Sequence, residues 1–482
     1  MRNKVLQPTE ARASYYNISP DDLKMRAVEL PGLTSVMISD LFPDDRYRPV
    51  SNGSASELCR EIRDRTLLTL QDINLEKIQP GDSVNILASH HGFSIYGGHA
   101  YAEMIRTIRD EVERRTGTRD IRLRAGVGLR FRETEEYIEQ FDLNKDFKGK
   151  ARGIAPVDRG VAIDTAIGTL YGIDDAYKAR WIIHAHNNDI RELHYHRQMG
   201  RLFKPFAMSY ATIETRSSYH QSMGPRAANL LPRMIFESDF VQDKFVCSCM
   251  LQVGPAGIMG VDASDDLGAQ DKEFARLNLD WYGKIVTLLG AIESAILIID
   301  YPGPVPYTTA GGILFGNFLN ANIDEFDLTK PFTAFTRYTD MLYPGVKPLV
   351  QGILPPPNPA IKALILNYCS KGYPSTFFAQ QLPTLVVGSQ ADLFVNDEQN
   401  PVFMDYGVRV ESLTKAVEFA RKFAQTENVL IFDGAVGGFN VSHPLAEELY
   451  RLAPDLSRHV DEELMPLWLK QRGIESAPPA VD

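Results

Sequence analysis

The chain has 482 residues with 44% apolar and 23% charged side chains, the balance of a folded protein long enough for two cores. Acidic residues outnumber basic ones, 62 to 51, for a net charge of -11. That excludes the Lys/Arg density on which nucleic-acid or anionic-membrane binding rests, though not a local basic pocket for an anionic ligand.

Residues 1–60 show little periodicity and read as an N-terminal extension packed on the main body. MRNKVLQPTEARASYYNISP has no apolar signal core, and no run of about 18 apolar residues occurs. The expected location is the cytoplasm. Four cysteines, Cys59, Cys247, Cys249 and Cys369, lack C-x-x-C or zinc-finger spacing. Cys247 and Cys249 alternate in FVCSCMLQV and read as small core residues of one strand.

An α/β rhythm follows. SVNILAS (83–89) is a buried strand, HHGFSIYGG a loop, and HAYAEMIRTIRDEVERRTG (99–117) a helix with a glycine stop. DIRLRAGVG (120–128) is the next strand, and a helix opens near Thr134. VAIDTAIGTLYGI (161–173) reads as a strand and turn, and WIIHAHNND (181–189) as a further strand. FVCSCMLQVGPAGIMGV (245–261) predicts two strands about Gly254-Pro255, followed by a long helix over 272–294 and a buried strand, AILIIDYPG. In the second half, 411–426 is an amphipathic helix and VLIFDGAVGG a strand running into a glycine-rich turn. Strands alternating with helices predict an α/β fold of mostly parallel sheets, with ligands beyond the carboxyl ends of the strands. The expected division is an extension (1–60), an N-terminal α/β domain with the cofactor site (61–295, joined by 427–482) and a C-terminal α/β domain (296–426), the active site lying in the cleft between them.

The stretch 181–220 carries five of the ten histidines: His184, His186, His194, His196 and His220. Imidazole titrates near neutrality and is the commonest metal ligand, so such crowding marks a candidate active centre. His184 and His186, two apart on a strand, share a face, a spacing that suits a metal as well as an ordinary core pair. Lys204 precedes Pro205, which biases it toward extended backbone. Held beside histidines and arginines, its amine is a candidate nucleophile or covalent anchor. Neither GAVGG nor SHHGFSIYGG completes a dinucleotide fingerprint, and no GxxxxGK[ST] occurs.

In order and spacing these residues resemble the lactate racemase family, enzymes that use a nickel-pincer nucleotide. The spacing of His194, Lys204 and His220 carries the resemblance, together with the strand order over about 75–300 and 405–440. The resemblance implies a racemase or epimerase of an α-hydroxy acid working by hydride transfer. It implies that Lys204 holds the cofactor covalently, that His220 ligates nickel and that His194 is a catalytic acid/base. Arg130, in Gly128-Leu129-Arg130-Phe131-Arg132-Glu133-Thr134, stands where the family has its other catalytic histidine. As a permanent cation it can clamp a carboxylate, leaving His91, His90 or His186 as the second base. Ser89-His90-His91-Gly92-Phe93 replaces the family's phosphate-binding loop, so His90, Arg132 and Arg197 are the expected cofactor contacts and His91 the expected catalytic partner. Implied partners are a small anionic hydroxy acid and cofactor-synthesis proteins, and a homo-oligomer is left open. Two other readings remain: a hydrolase or lyase whose metal is held directly by His90, His184, His186 and His194, and a non-catalytic homologue.

Overall fold

A computed structural model describes residues 25–51, 53–94, 97–127, 133–188, 199–221, 230–301, 326–330, 357–369, 376–395, 402–433, 435 and 437–474. The first strand, β1 (Leu33–Met37), is no appendage. It pairs antiparallel with a strand from the far end of the chain, Leu33 opposite Ser442, and so forms one edge of a sheet. Helix α1 (Ala55–Leu70) begins with a capping box between Ser54 and Glu57, which satisfies two N–H groups that a helix start would otherwise leave unpaired.

The first sheet is built on central runs buried nearly throughout, the pattern of strands covered on both faces, flanked by strands that also carry half-exposed or charged positions. Its strands are β2 (Ser83–Ser89), β3 (Asp120–Gly126), β4 (Ala151–Ile154), β7 (Trp181–Asn187), β8 (Phe245–Gly254) and β9 (Gly257–Ser264). Their order is β4-β3-β2-β7-β8-β9, with every pair parallel except β8 and β9. The segment 161–173 is a separate two-stranded hairpin of β5 (Gly160–Thr165) and β6 (Gly168–Ile173). HHGFS is not a loop: α2 (His90–Ser94) starts directly after β2. Helix α3 (Gly98–Thr116) ends where Gly117 turns left-handed at φ 71°, its N–H reaching the Glu113 carbonyl. Cys247 and Cys249 are fully buried.

The second sheet is formed by β10 (Ala295–Tyr301), β11 (Ile361–Cys369), β12 (Thr384–Val387), β13 (Gly407–Val410), β14 (Val429–Phe432) and β15 (Gly438–Ser442), in the order β1-β15-β14-β10-β11-β12-β13. All but its first two pairs, β1/β15 and β15/β14, are parallel. Within 427–482, β14 and β15 belong to the second sheet: Val429 and Leu430 pair with Ile296 and Leu297. VLIF is apolar at every position, so it can seat only as a buried inner strand, and the free side of β10 takes it.

One contiguous apolar cluster includes residues of both sheets and of the long helix Leu267–Gly290, among them Ile86, Ile183, Leu251, Phe274, Leu297 and Leu430. Among the described residues no helix is long and apolar enough to cross a membrane.

Chain direction locates two crevices. In the first sheet the chain lays β3 and β4 on one side of β2, then returns to place β7 and β8 on the other, so the order reverses between β2 and β7. In the second it reverses between β10 and β14. Ligands of such sheets sit at these reversals, beyond the strands' carboxyl ends. In the second sheet that position is closed by the chain itself. The buried Asp300 carboxylate accepts from Arg26 Nε at 3.0 Å, the Ala27 N–H at 2.8 Å and Asn367 Nδ2 at 2.8 Å. Asp433, one residue past β14, accepts from Asn440 Nδ2 at 2.6 Å.

Candidate functional site

The β2/β7 reversal is lined with imidazole. Ser89 ends β2, and its Oγ lies 3.4 Å from Nδ1 of His186, the penultimate residue of β7. His90 and His91 open α2 immediately beyond, both buried, with ring centroids 3.7 Å apart. Two further contacts join the strand ends. Tyr101 donates from its hydroxyl to the Ala185 carbonyl at 2.6 Å, and Asn187 Nδ2 approaches the His91 carbonyl at 3.4 Å. Burial with no compensating charge raises the Tyr101 phenol above its usual range, so it stays a neutral donor.

Strand alternation puts His184 on the same face as His186, and their rings stack at 5.2 Å with 24° between planes. Over that face runs the lysine segment. It forms a single turn, α4 (Lys204–Ala207), then Met208–Tyr210, then α5 (Ile213–Gln221). Tyr210 Oη lies 3.1 Å from His184 Nδ1, and the Phe206 ring sits 5.2 Å from the same imidazole. Lys204 is helical rather than extended, which corrects the expectation drawn from Pro205. Proline costs nothing in the first turn of a helix, where its missing N–H has no partner anyway. Lys204 is 3% exposed and not a solvated surface lysine.

Two features seat this segment. Gly126 ends β3, and a Cβ there would fall 2.1 Å from the Ser209 carbonyl oxygen. The glycine is what lets the turn after α4 lie against the sheet. Arg216, buried on α5, donates to the carbonyls of Val127 at 2.7 Å and Met208 at 2.5 Å, tying strand end and turn together.

Complete burial lowers the His184 pKa to about 3, a pull that the Leu202 backbone only partly offsets. The ring is thus neutral near pH 7, with Nδ1 within hydrogen-bond distance of the Tyr210 hydroxyl. An unfolded histidine titrates near about 6.5, so the unfolded chain binds the extra proton as pH falls below that, and stability is lost there. The full slope for one group is about 1.4 kcal/mol per pH unit. Urea unfolding should therefore show the native protein losing about 2 kcal/mol more than His184→Gln between pH 7 and pH 5. The buried aspartates Asp300, Asp433 and Asp271, whose pKa values burial raises, act in the opposite direction but are common to both proteins. A pH-independent difference would mean that His184 carries no such constraint.

Of the sequence-derived site residues, the structure gathers His90, His91 and, through His184 and His186, the turn of Lys204. His220 lies on α5. His194, Arg130, Arg132 and Arg197 lie outside the described residues. Among the described residues no three His, Cys, Asp or Glu side chains are placed to hold a metal ion. Tyr101 and Tyr210 carry no signal in the sequence, since each makes its contact with a residue remote in the chain. Asp271 carried a signal: it sits in the buried stripe Leu267, Gln270, Asp271, Phe274, Ala275, Asn278 of the long helix, where periodicity calls for an apolar residue. Fold and site define an α/β protein with a buried lysine and several imidazoles at a sheet reversal. No protein-family model matches the chain, and no curated protein matches its sequence.

Proposed function

We propose that the chain is a racemase or epimerase of an α-hydroxy acid whose nickel-pincer nucleotide is tethered to Lys204. One observation carries this reading. Lys204 is 3% exposed, in a turn whose neighbours Phe206 and Tyr210 pack on His184 of the imidazole-lined β7. A buried lysine in a turn packed on an imidazole-lined strand supports the reading, since an amine and imidazoles are the donors such a group would need. Lys204 would hold the cofactor and His220, on α5, would ligate its nickel.

When bound, the group supplies a hydride acceptor for the substrate's Cα–H, which is too weak an acid for a side-chain base. The chain's residues supply the rest. His194 takes the hydroxyl proton, as an imidazole titrating near the working pH can. His184, fully buried and held near the Tyr210 hydroxyl, stacks on His186 instead. His91 serves the opposite face of the keto acid, with His90 beside it. Arg130 clamps the substrate carboxylate, and Arg132 and Arg197 offer planar donors to the cofactor phosphate.

The test is intact mass and metal content of protein made in a host equipped with the cofactor-synthesis proteins. The expected result is an added covalent mass mapping to Lys204 together with one equivalent of nickel. Metal without added mass would instead favour direct ligation and a hydrolase or lyase. Neither would leave a non-catalytic protein.

A further inference from the structure

We propose that Asp271, on the helix Leu267–Gly290, is the positioning residue for Lys204, an assignment whose mechanistic meaning rests on the reading above. Its carboxylate grips the backbone on both sides of Arg201. Oδ2 accepts from the Gly200 N–H at 2.5 Å and Oδ1 from the Leu202 N–H at 3.0 Å. Gly200 is left-handed at φ 79°, a conformation that glycine adopts without strain, so the chain is bent where the carboxylate takes hold. From the gripped residues the backbone passes directly into the lysine's turn, the Lys204 N–H reaching the Arg201 carbonyl at 3.3 Å.

The buried Arg201 guanidinium offsets part of the charge of Asp271, but charge pairing by itself does not require the two backbone bonds. A carboxylate in a helix's apolar stripe bears a desolvation cost, and two backbone N–H groups can be met by neutral acceptors. What a carboxylate adds is two acceptors on one rigid plane, fixing the donors of Gly200 and Leu202 at once. Asp271 is 3% exposed, so no solvent loosens that grip. The gripped Leu202 backbone also lies toward His184. One carboxylate therefore sets the lysine's turn and the imidazole's neighbour together.

Asp271→Asn keeps the shape but turns one acceptor into a donor facing an N–H. Leu288→Ala, in the core of the same helix, serves as a destabilised control. The apo proteins are acetylated with an N-hydroxysuccinimide ester, and the rate at Lys204 is read by peptide mass against exposed Lys272 on the same helix. Asp271→Asn should raise the Lys204 rate at least about tenfold while Leu288→Ala leaves it near the native value, because only the first change frees the turn. In protein from the cofactor-making host, the fraction carrying the adduct should fall in Asp271→Asn alone. A raised Lys204 rate with no adduct in any variant would keep the positioning role and sink the cofactor reading. Equal rates and equal loading in the native protein and Asp271→Asn would overturn the proposal.

Discussion

Lys204→Met is expected to abolish both the covalent adduct and turnover while leaving the fold intact. Methionine keeps an unbranched apolar stem of similar length, so the buried space that Lys204 fills at 3% exposure stays occupied. What is lost is the amine that, on the proposed function, anchors the cofactor. Removing a covalent anchor is a loss of chemistry rather than of binding, so racemisation should fall by at least about 10³-fold. Lys204→Arg should do the same, because a guanidinium keeps the charge but does not act as an amine nucleophile. Intact mass, nickel content and optical rotation of the hydroxy acid give the readout. Full loading and activity in either variant would remove the lysine from the mechanism and the proposed function with it.

Gly126→Ala has the second large expected effect, and it concerns the fold. The new methyl would stand 2.1 Å from the Ser209 carbonyl oxygen and 2.7 Å from its carbon, both backbone atoms that no rotamer change can move. Overpacking against side chains costs about 1–3 kcal/mol, so displacing backbone belongs at or above the top of that range. The turn that moves is the one carrying Tyr210 to His184. Loss of stability should therefore accompany a loss of the histidine's burial and a rise of its pKa from about 3, visible by NMR titration. Gly407→Ala is the matched control: that glycine is extended, at φ -84°, and its nearest neighbours would lie at 3.4 Å, ordinary contact. Equal stability of the two variants would mean that the segment after α4 is not seated on β3.

Much of the architecture could be read before any coordinates. β2, β3, β7, β8, β9 and β10 stand close to where apolar runs bounded by Gly, Pro and Asp placed them. Helix α3 ends at the expected Gly117, and the amphipathic stretch 411–426 is a helix over Leu413–Ala424. Two local readings fail, HHGFS as a loop and Lys204 as extended chain, and the seating of β1 shares their cause: each is governed by a partner far along the chain. α2 is packed beneath Tyr101 and the end of β7, Lys204's turn is held through Asp271, and β1 pairs with β15 more than four hundred residues away.

What the amino-acid order settles alone is local: strand and helix periods, caps such as Ser54 and Gly117, and the crowding of histidine and lysine between 181 and 220. These depend on contacts within a few residues, where spacing along the chain and distance in space are nearly the same thing. The tertiary structure alone decided which strands neighbour one another, and hence that the order reverses between β2 and β7. It alone turned Lys204 from a basic residue in a string into a side chain buried at 3% exposure, in the turn whose Phe206 and Tyr210 pack on His184. Burial depends on what arrives from elsewhere in the chain, and no local pattern encodes that arrival.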